Sequence, residues 1–459
     1  MEQRHGPILF VSIADAGLIN PLLEVAGELS RRGVPDLWFA STEDRRADVE
    51  AIKGRTPVGF VSLGDRLEKP PAVWDAATYA RATQPPRRGS PTSRAANVVH
   101  YLREVADSDI LETMYRRTLA EVDKLQPALM VVDSSSVYPA DAAIARKVPY
   151  VLSVPVSVSE VFADRLPWSH PTPNSGLPSR MTLRQKAANV SFRLRVIAGI
   201  LKNVPHAEFA RSRKEAGIEN VTAAQSFYGD QAAAIVAYSV FGMEYPFPAV
   251  PPTLKMVGPA VPPLPQAPDG DHELTSWLDA NDSVVYIAFG THMRLTRSQL
   301  AMMTDAVGRI GPRHKVLWKL PEHQQALLPA QRPDNLRLET WVPSQLDVLA
   351  HPHVRVYFNH GGGNSAYEGV YFGKPGLVMP FWMDCYDHAA RVVESGAGLR
   401  VECSLRTTAD EVAGKLVRLL EEDGFRERAQ YWAQRYREAG GVAAAADTVQ
   451  EQYAALARA

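Results

Sequence analysis

Short apolar runs alternate with helix-like segments in this chain, and the alternation occurs twice. A buried strand is predicted at residues 8–13 and a helix after it, and the same order restarts with a strand at residues 284–289. Strands that alternate with helices form parallel sheets, because each helix carries the chain back to the edge where the strand began. We therefore predict an α/β protein with two doubly wound, Rossmann-like parallel sheets that face a cleft.

The helix after the first strand has sequence signals at both ends. Asn20 is the predicted N-cap, and Pro21 would occupy the first helical position, where its missing N–H costs nothing. Gly33 follows the last apolar residue of the pattern and predicts the end of the helix.

A proline-rich stretch separates the two halves. Residues 245–273 read YPFPAVPPTLKMVGPAVPPLPQAPDGDHE, and proline cannot donate a main-chain hydrogen bond to a strand or a helix. We predict an N-terminal domain over residues 1–248, a semi-rigid linker over 249–272 and a C-terminal domain over 273–459. The last helix is expected to pack back on the N-terminal domain.

The composition narrows the possible classes of protein. The net charge of the 459 residues is −1, which gives no sign of a nucleic-acid-binding surface or a basic membrane-binding face. Two cysteines, Cys385 and Cys403, are too few for a disulfide framework. No apolar run reaches the length of about 18 residues that a membrane span needs. We expect a cytoplasmic protein with no transmembrane anchor, no metal site and no tightly bound cofactor.

The most informative segment is FNHGGGNSAYEG, residues 358–369, where an apolar strand runs into three glycines and then a helix. Glycines such as Gly362 let the backbone approach a ligand closely, and a helix that begins near Asn364 offers unpaired N–H groups. His360 and Ser365 add side-chain donors. The segment lacks the patterns of ATP-hydrolysing P-loops and NAD-binding turns, so we interpret it as a diphosphate site.

Other polar or aromatic side chains follow strand ends or lie one helical turn away. Glu368 can accept hydrogen bonds from two sugar hydroxyls, and Trp341 can stack on a nucleobase. Thr291 can aim a hydroxyl at a phosphate, and Asp384 can accept from sugar hydroxyls. Taken singly, the glycines also fit an ordinary turn, Trp341 a core residue and Asp384 a helix N-cap.

Taken together, these residues resemble the nucleotide-sugar signature of family 1 glycosyltransferases, and the resemblance spans nearly the whole chain. It implies the GT-B fold and transfer of a sugar from a UDP-sugar to a small acceptor. By this resemblance Trp341 stacks on uracil, Glu368 holds the ribose and Asp384 contacts the sugar. The residues that would meet the diphosphate are Thr291, His360, Asn364 and Ser365.

Two positions depart from the family pattern. The residue after the sugar-binding acid is Cys385, where the family has a glutamine that binds sugar hydroxyls. A thiol is a weak hydrogen-bonding group, so either the sugar differs or Cys385 is a small apolar residue at a helix start. Leu18 stands where the family carries its histidine base, although Asp133 matches the acid that orients that histidine.

Leu18 cannot accept a proton, and general base catalysis contributes roughly 10²–10⁴-fold. Asp133 or Asp15 replaces the base, or the acceptor is a carboxylic acid that is already ionised, or the scaffold no longer transfers sugar. The predicted function is transfer of a sugar to a hydrophobic natural product. The alternatives are a repurposed scaffold that cyclises a terpenoid or polyketide by orienting it, and a non-catalytic auxiliary binding protein.

Overall fold

The computed structural model describes residues 6–83, 91–105, 107–203, 206–248, 250–262, 264, 272–404 and 406–456. These residues form two β-sheets. The strands of the first sheet are β1 (Ile8–Val11), β2 (Leu37–Ser41), β3 (Val58–Ser62), β4 (Leu129–Asp133), β5 (Tyr150–Val154), β6 (Ala234–Ala237) and β7 (Leu254–Met256). Those of the second sheet are β8 (Val284–Ala288), β9 (Lys315–Lys319), β10 (Leu336–Glu339), β11 (Val354–Asn359), β12 (Gly376–Val378) and β13 (Gly398–Arg400).

The strand order of the first sheet is β3-β2-β1-β4-β5-β6-β7, and that of the second is β10-β9-β8-β11-β12-β13. Every strand pair is parallel, which confirms the prediction of two doubly wound sheets. Both sheets are buried on both faces, so their central strands read as unbroken apolar runs; β1, for example, is ILFV.

Helices surround both sheets. In the first half they are α1 (Ala16–Arg31), α2 (Arg46–Glu50), α3 (Ala76–Thr83), α4 (Pro91–Val105), α5 (Ser108–Leu125), α6 (Val137–Ala145), α7 (Val158–Val161), α8 (Leu183–Asn203), α9 (His206–Glu215) and α10 (Gln225–Gln231). In the second half they are α11 (His272–Asp279), α12 (Arg297–Arg309), α13 (Glu322–Gln325), α14 (Gln345–Ala350), α15 (Gly363–Tyr371), α16 (Cys385–Glu394), α17 (Ala409–Glu421), α18 (Asp423–Glu438) and α19 (Gly441–Leu456).

The start of α1 differs from the prediction. The helix begins at Ala16 with Asp15 as its N-cap residue, so Pro21 lies inside it rather than at its first position. A proline there removes the hydrogen bond to the carbonyl of Gly17. Gly17 is solvent-exposed, so water can satisfy that carbonyl, and the longer helix brings Asp15 and Leu18 to its first turn.

The first sheet extends into the range predicted as linker. Strand β7 occupies Leu254–Met256 and pairs with β6, because the prolines of this region lie before and after these three residues. The predicted linker, residues 249–272, therefore begins within the first sheet. Its residues 249, 263 and 265–271 lie outside the described residues.

Buried polar contacts join the two halves. Arg391 of α16 donates to Glu244 over 2.8 Å, and both side chains are buried. Asp387, on the same helix, accepts from the main-chain N–H groups of Asn174 and Gly176 at 2.6 and 2.7 Å. At the chain's end, α19 packs against α1 of the first half. These contacts fix the cleft between the carboxyl ends of the two sheets.

Candidate active site in the cleft between the sheets

A turn of glycines at the end of β11 surrounds the ring of His360. A Cβ atom on Gly290 would lie 2.7 Å from Cε1 of that ring, and one on Gly362 would collide with Nε2. Only glycine therefore allows both loops to close on the imidazole. Burial lowers the pKa of His360 to about 3, so the ring is neutral and keeps one N–H to donate.

The helix that follows this turn presents its N-terminus beside His360. Gly362 is the N-cap residue of α15, and Asn364 and Ser365 lie in the first turn, partly exposed. His388 supports the turn, because its Nδ1 lies 2.8 Å from the carbonyl oxygen of Gly361. Unpaired N–H groups at the start of a helix favour an anion, so this arrangement suits a phosphate.

Trp341 and Glu368 lie beside a shared set of polar groups. The indole of Trp341 is 66% exposed, so the structure leaves its face open to a flat ligand instead of placing it in the core. Gln345 donates to Glu368 over 2.7 Å, and the Lys319 ammonium lies 5.0 Å from the centre of the indole ring. Burial raises the pKa of Glu368, and both Gln345 and Lys319 oppose that rise.

Asp384 and Cys385 have different environments although they are neighbours. Asp384 is the N-cap residue of α16 but accepts no capping hydrogen bond, which leaves its carboxyl for other contacts. Burial raises its pKa, and the nearby Asp387 raises it further. Cys385 is 1% exposed and packs into the apolar core, as expected of a small apolar residue at a helix start.

The cleft has a volume of about 880 Å³ and is lined from both halves of the chain. Thr291 and Trp341 contribute from the second half, and Asp15 and Arg66 from the first. Of the residues predicted from the sequence to meet the nucleotide, Thr291 and Trp341 line this cavity together with Asp15 from the turn before α1.

Both carboxylate oxygens of Asp133 accept hydrogen bonds from the loops that surround them. Its Oδ1 accepts from the N–H groups of Ser135 and Ser136, both at 2.9 Å. Its Oδ2 accepts from the Ser136 hydroxyl at 2.7 Å and from the N–H of Ile13 at 3.2 Å. The carboxyl is completely buried, which raises its pKa, and the Ser136 bonds oppose the rise. Asp133 thus acts as a main-chain brace between β1 and β4.

Leu18 and Asp15 occupy the first turn of α1. Leu18 is partly exposed. Asp15 lies in the cleft, where Arg66 donates to its Oδ1 over 2.5 Å. The Nε2 atom of His292, from the second half of the chain, lies 3.8 Å from the same oxygen. Burial lowers the pKa of His292, Asp15 opposes this and Arg66 reinforces it, so the imidazole is neutral near pH 7.

Aromatic rings from both halves pack beside His292. The Trp382 ring centre lies 6.2 Å from that of His292, 5.9 Å from that of Tyr79 and 6.3 Å from that of Tyr101. Trp74 lies 5.8 Å from Tyr101 on the other side. Trp74, Tyr79 and Trp382 are each less than 10% exposed and belong to the core beside the cleft, whereas Tyr101 is partly exposed.

Three titratable residues near the predicted site, His292, Tyr101 and Glu160, were not predicted from the sequence. Burial raises the pKa of Tyr101, and carboxylates from both halves, including Asp15, raise it further. Glu160, from α7, is also buried with a raised pKa, and Asp384 contributes to that rise. His292 directly follows Thr291, which was predicted to end a strand, so its position in the sequence could have indicated a site residue. Tyr101 and Glu160 come near carboxylates of the second half only through packing between the two halves.

Two doubly wound parallel α/β sheets that face one cleft define the GT-B fold. Solved structures agree on the fold: the kitacinnamycin glycotransferase superposes with a TM-score of 0.69 at 20% identity, covering 98% of this chain and 99% of that one. CalG4, the calicheamicin glycosyltransferase, gives 0.65 at 18% identity, covering 98% of each chain.

The chain belongs to the UDP-glucoronosyl and UDP-glucosyl transferase family, whose model matches residues 121–434. The 2-hydroxyacylsphingosine 1-beta-galactosyltransferase of Rattus norvegicus is 28% identical over 202 residues, which are 43% of this chain and 35% of that protein. Erythritol-mannosyl-transferase 1 of Mycosarcoma maydis is 31% identical over 153 residues, 33% of this chain and 25% of that protein. Glycosyltransferase sdnJ of Sordaria araneosa is 24% identical over 435 residues, 87% of this chain and 84% of that protein.

Among the described helices, none is long and apolar enough to cross a membrane. In the same part of the chain, no group of three or more histidine, cysteine, aspartate or glutamate side chains is placed to hold a metal ion.

Proposed function

We propose that this protein transfers a sugar from a UDP-sugar to a hydroxyl group of a small apolar acceptor. The observation that carries the proposal is the arrangement of Trp341, Glu368 and the α15 N-terminus just beyond the carboxyl ends of β10 and β11. An open indole suits a uracil ring, a glutamate held by one amide suits a ribose, and helix N–H groups suit a diphosphate. Asp384, which caps no helix N–H, is left to contact the sugar.

The apolar acceptor is supported by the side chains of Leu23, Ile52 and Pro70, which line the cleft from the first half of the chain. A molecule with an apolar body would gain area against these side chains while its hydroxyl reached the polar groups near His292.

The proton of the acceptor hydroxyl is assigned to His292 rather than to Asp133. Asp133 is buried and its oxygens already accept four hydrogen bonds, whereas the neutral His292 faces Asp15 across the cleft. Nδ1 of His292 is buried without a hydrogen-bond partner, so Nε2, which lies 3.8 Å from Oδ1 of Asp15, is the ring nitrogen placed to accept the proton.

In this reaction the acceptor oxygen forms a bond to the anomeric carbon, and the bond from that carbon to the UDP oxygen breaks. UDP leaves with the electron pair, and the hydroxyl proton moves to His292. The α15 N-terminus and the His360 N–H stabilise the charge that develops on the diphosphate.

A panel of UDP-sugars incubated with a phenol and with the matching benzoic acid tests the proposal. Released UDP and the mass of the glycoside are measured for the wild type and for His292→Gln. We expect the wild type to glycosylate the phenol, and the variant to lose this activity while keeping transfer to the acid, which is already ionised. Failure of the wild type to bind UDP or release it with any acceptor would overturn the proposed function.

A further inference from the structure

Helix α8 (Leu183–Asn203) turns an apolar face toward solvent. Five large apolar side chains on that face are exposed: Leu183, Val190, Leu194, Ile197 and Leu201. The most exposed are Leu183 at 85% and Leu201 at 70%. Ala187 fills the remaining position, so the spacing alternates between four and three residues and defines one stripe about 27 Å long.

The opposite face of α8 is the one that holds it to the protein. Phe192 is buried there and packs with Val196 against Ala95 and Val98 of α4. The outward stripe therefore lies on a different face of α8 from the residues that pack against the protein core. A soluble protein rarely exposes a continuous apolar strip of this length without a partner for it.

The charges of α8 are all of one sign. Arg184, Lys186, Arg195 and Lys202 are exposed, and no acidic residue occurs between positions 183 and 203. Long basic side chains beside an apolar stripe are typical of helices that lie in the plane of a membrane surface, with their cations at the level of the lipid headgroups. The net charge of the whole chain conceals this local excess.

An exposed tryptophan lies next to the same helix. Trp168 is 50% exposed, its carbonyl accepts from Asn189 over 3.1 Å, and the Arg193 guanidinium lies 5.0 Å from its ring centre. Tryptophan is favoured at the boundary between lipid chains and water because one end of its ring system is polar.

We propose that α8 docks the protein on an anionic phospholipid bilayer, with the stripe in the acyl boundary and the basic side chains among the headgroups. A second copy of the chain fits less well, because two copies of α8 would bring like charges together without an acidic partner on either helix. This surface lies outside the sugar-transfer site, so the docking does not depend on the proposed function.

Sedimentation with vesicles tests the proposal on the full chain. We expect binding to vesicles of equal parts phosphatidylglycerol and phosphatidylcholine, little binding to phosphatidylcholine alone, and weaker binding as salt is raised. Leu194→Gln with Leu201→Gln should lower the partition coefficient at least about tenfold with no change in Tm, because both side chains are exposed in the free protein.

The matched control compares Ile197→Gln with Val393→Gln, which changes a similarly exposed helical residue of α16. Only Ile197→Gln should weaken vesicle binding. Equal binding to neutral and anionic vesicles, no binding, or equal loss in both variants would overturn the proposal. A wild-type dimer in light scattering that the Leu194→Gln, Leu201→Gln variant converts to a monomer would assign the stripe to a second copy instead.

Discussion

The two sides of the cleft use their acidic side chains differently. On the side of the second sheet, Glu368 accepts one hydrogen bond, from the amide of Gln345, so part of its hydrogen-bonding capacity is left for a ligand. On the side of the first sheet, the oxygens of Asp133 accept four hydrogen bonds from the loops around them. One side is arranged for a ligand, and the other is arranged to hold the backbone.

This difference shows which part of a two-domain enzyme tolerates change. In the proposed reaction, nucleotide binding uses several groups on strand ends and one helix terminus, so no single side chain decides it. Proton transfer depends on one base, and when Leu18 occupies its position the acid behind it has no histidine to orient. The cleft still places a histidine and a carboxylate together, but they come from opposite halves of the chain, His292 and Asp15.

The largest expected effect is the loss of the proton acceptor. His292→Gln should lower kcat for a neutral hydroxyl acceptor by roughly 10²–10⁴-fold, with UDP affinity unchanged in calorimetry. In the wild type, kcat/KM should fall as the pH drops through the pKa of His292, because the protonated ring cannot accept a proton. Asp15→Asn should move this acid limb to lower pH, since the Asp15 carboxylate holds that pKa up.

His353→Gln is the matched control, because His353 is similarly exposed but lies at the far end of the second sheet. It should leave both the rate and the pH profile unchanged. A His292→Gln variant with the wild-type rate and acid limb would remove His292 from the mechanism and return the choice to an ionised acceptor.

The sequence predicts the positions of site residues that lie at strand ends better than those of residues brought together by packing between the two halves. The positions of Trp341, His360 and Glu368 on or beside strand ends were predictable from their own flanking residues, whereas their roles in binding stay predictions. His292 and Tyr101 were not predictable, because their roles depend on contacts between the two halves, and a single sequence carries no signal for such packing. The fold was predictable from the repeated strand–helix order, whereas the short strand β7 among prolines was not.

Glu368→Ala tests the side arranged for a ligand. It should weaken UDP binding by about 10–100-fold, because a charged hydrogen-bond acceptor is lost and Gln345 and Lys319 lose their partner. Calorimetry with UDP measures the change. Glu411→Ala, on the surface of α17, is the control. Unchanged affinity in Glu368→Ala would mean that UDP does not use this glutamate.

Asp384→Asn measures how much the ionised, buried carboxylate of Asp384 lowers the stability of the folded protein. Its pKa is raised in the folded protein, so the folded state holds this proton more tightly, and wild-type stability falls as pH rises from about 4 toward the raised pKa. The difference in Tm between variant and wild type should therefore become more positive from pH 5 to pH 8, by on the order of 2–4 °C.

The exposed Asp305→Asn is the control with the opposite sign. Arg309 lowers the pKa of Asp305, so this substitution should not become more favourable as pH rises. If the Tm difference between Asp384→Asn and the wild type does not change with pH, the pKa of Asp384 is not raised in the folded protein.

The smallest expected effect concerns the side arranged to hold the backbone. Leu18→His alone should change transfer by about threefold or less, because Oδ2 of Asp133 already accepts from Ser136 and Ile13 and has little left to orient a new imidazole. Ser136→Ala removes one of these donors. In a double-mutant cycle on the rate of phenol glycosylation, the variant with both Leu18→His and Ser136→Ala should therefore lower the activation free energy by more than the sum of the two single changes. A gain of tenfold or more from Leu18→His alone would show that the Asp133 loop rearranges readily, and the contrast between the two sides of the cleft would then rest on Leu18 alone.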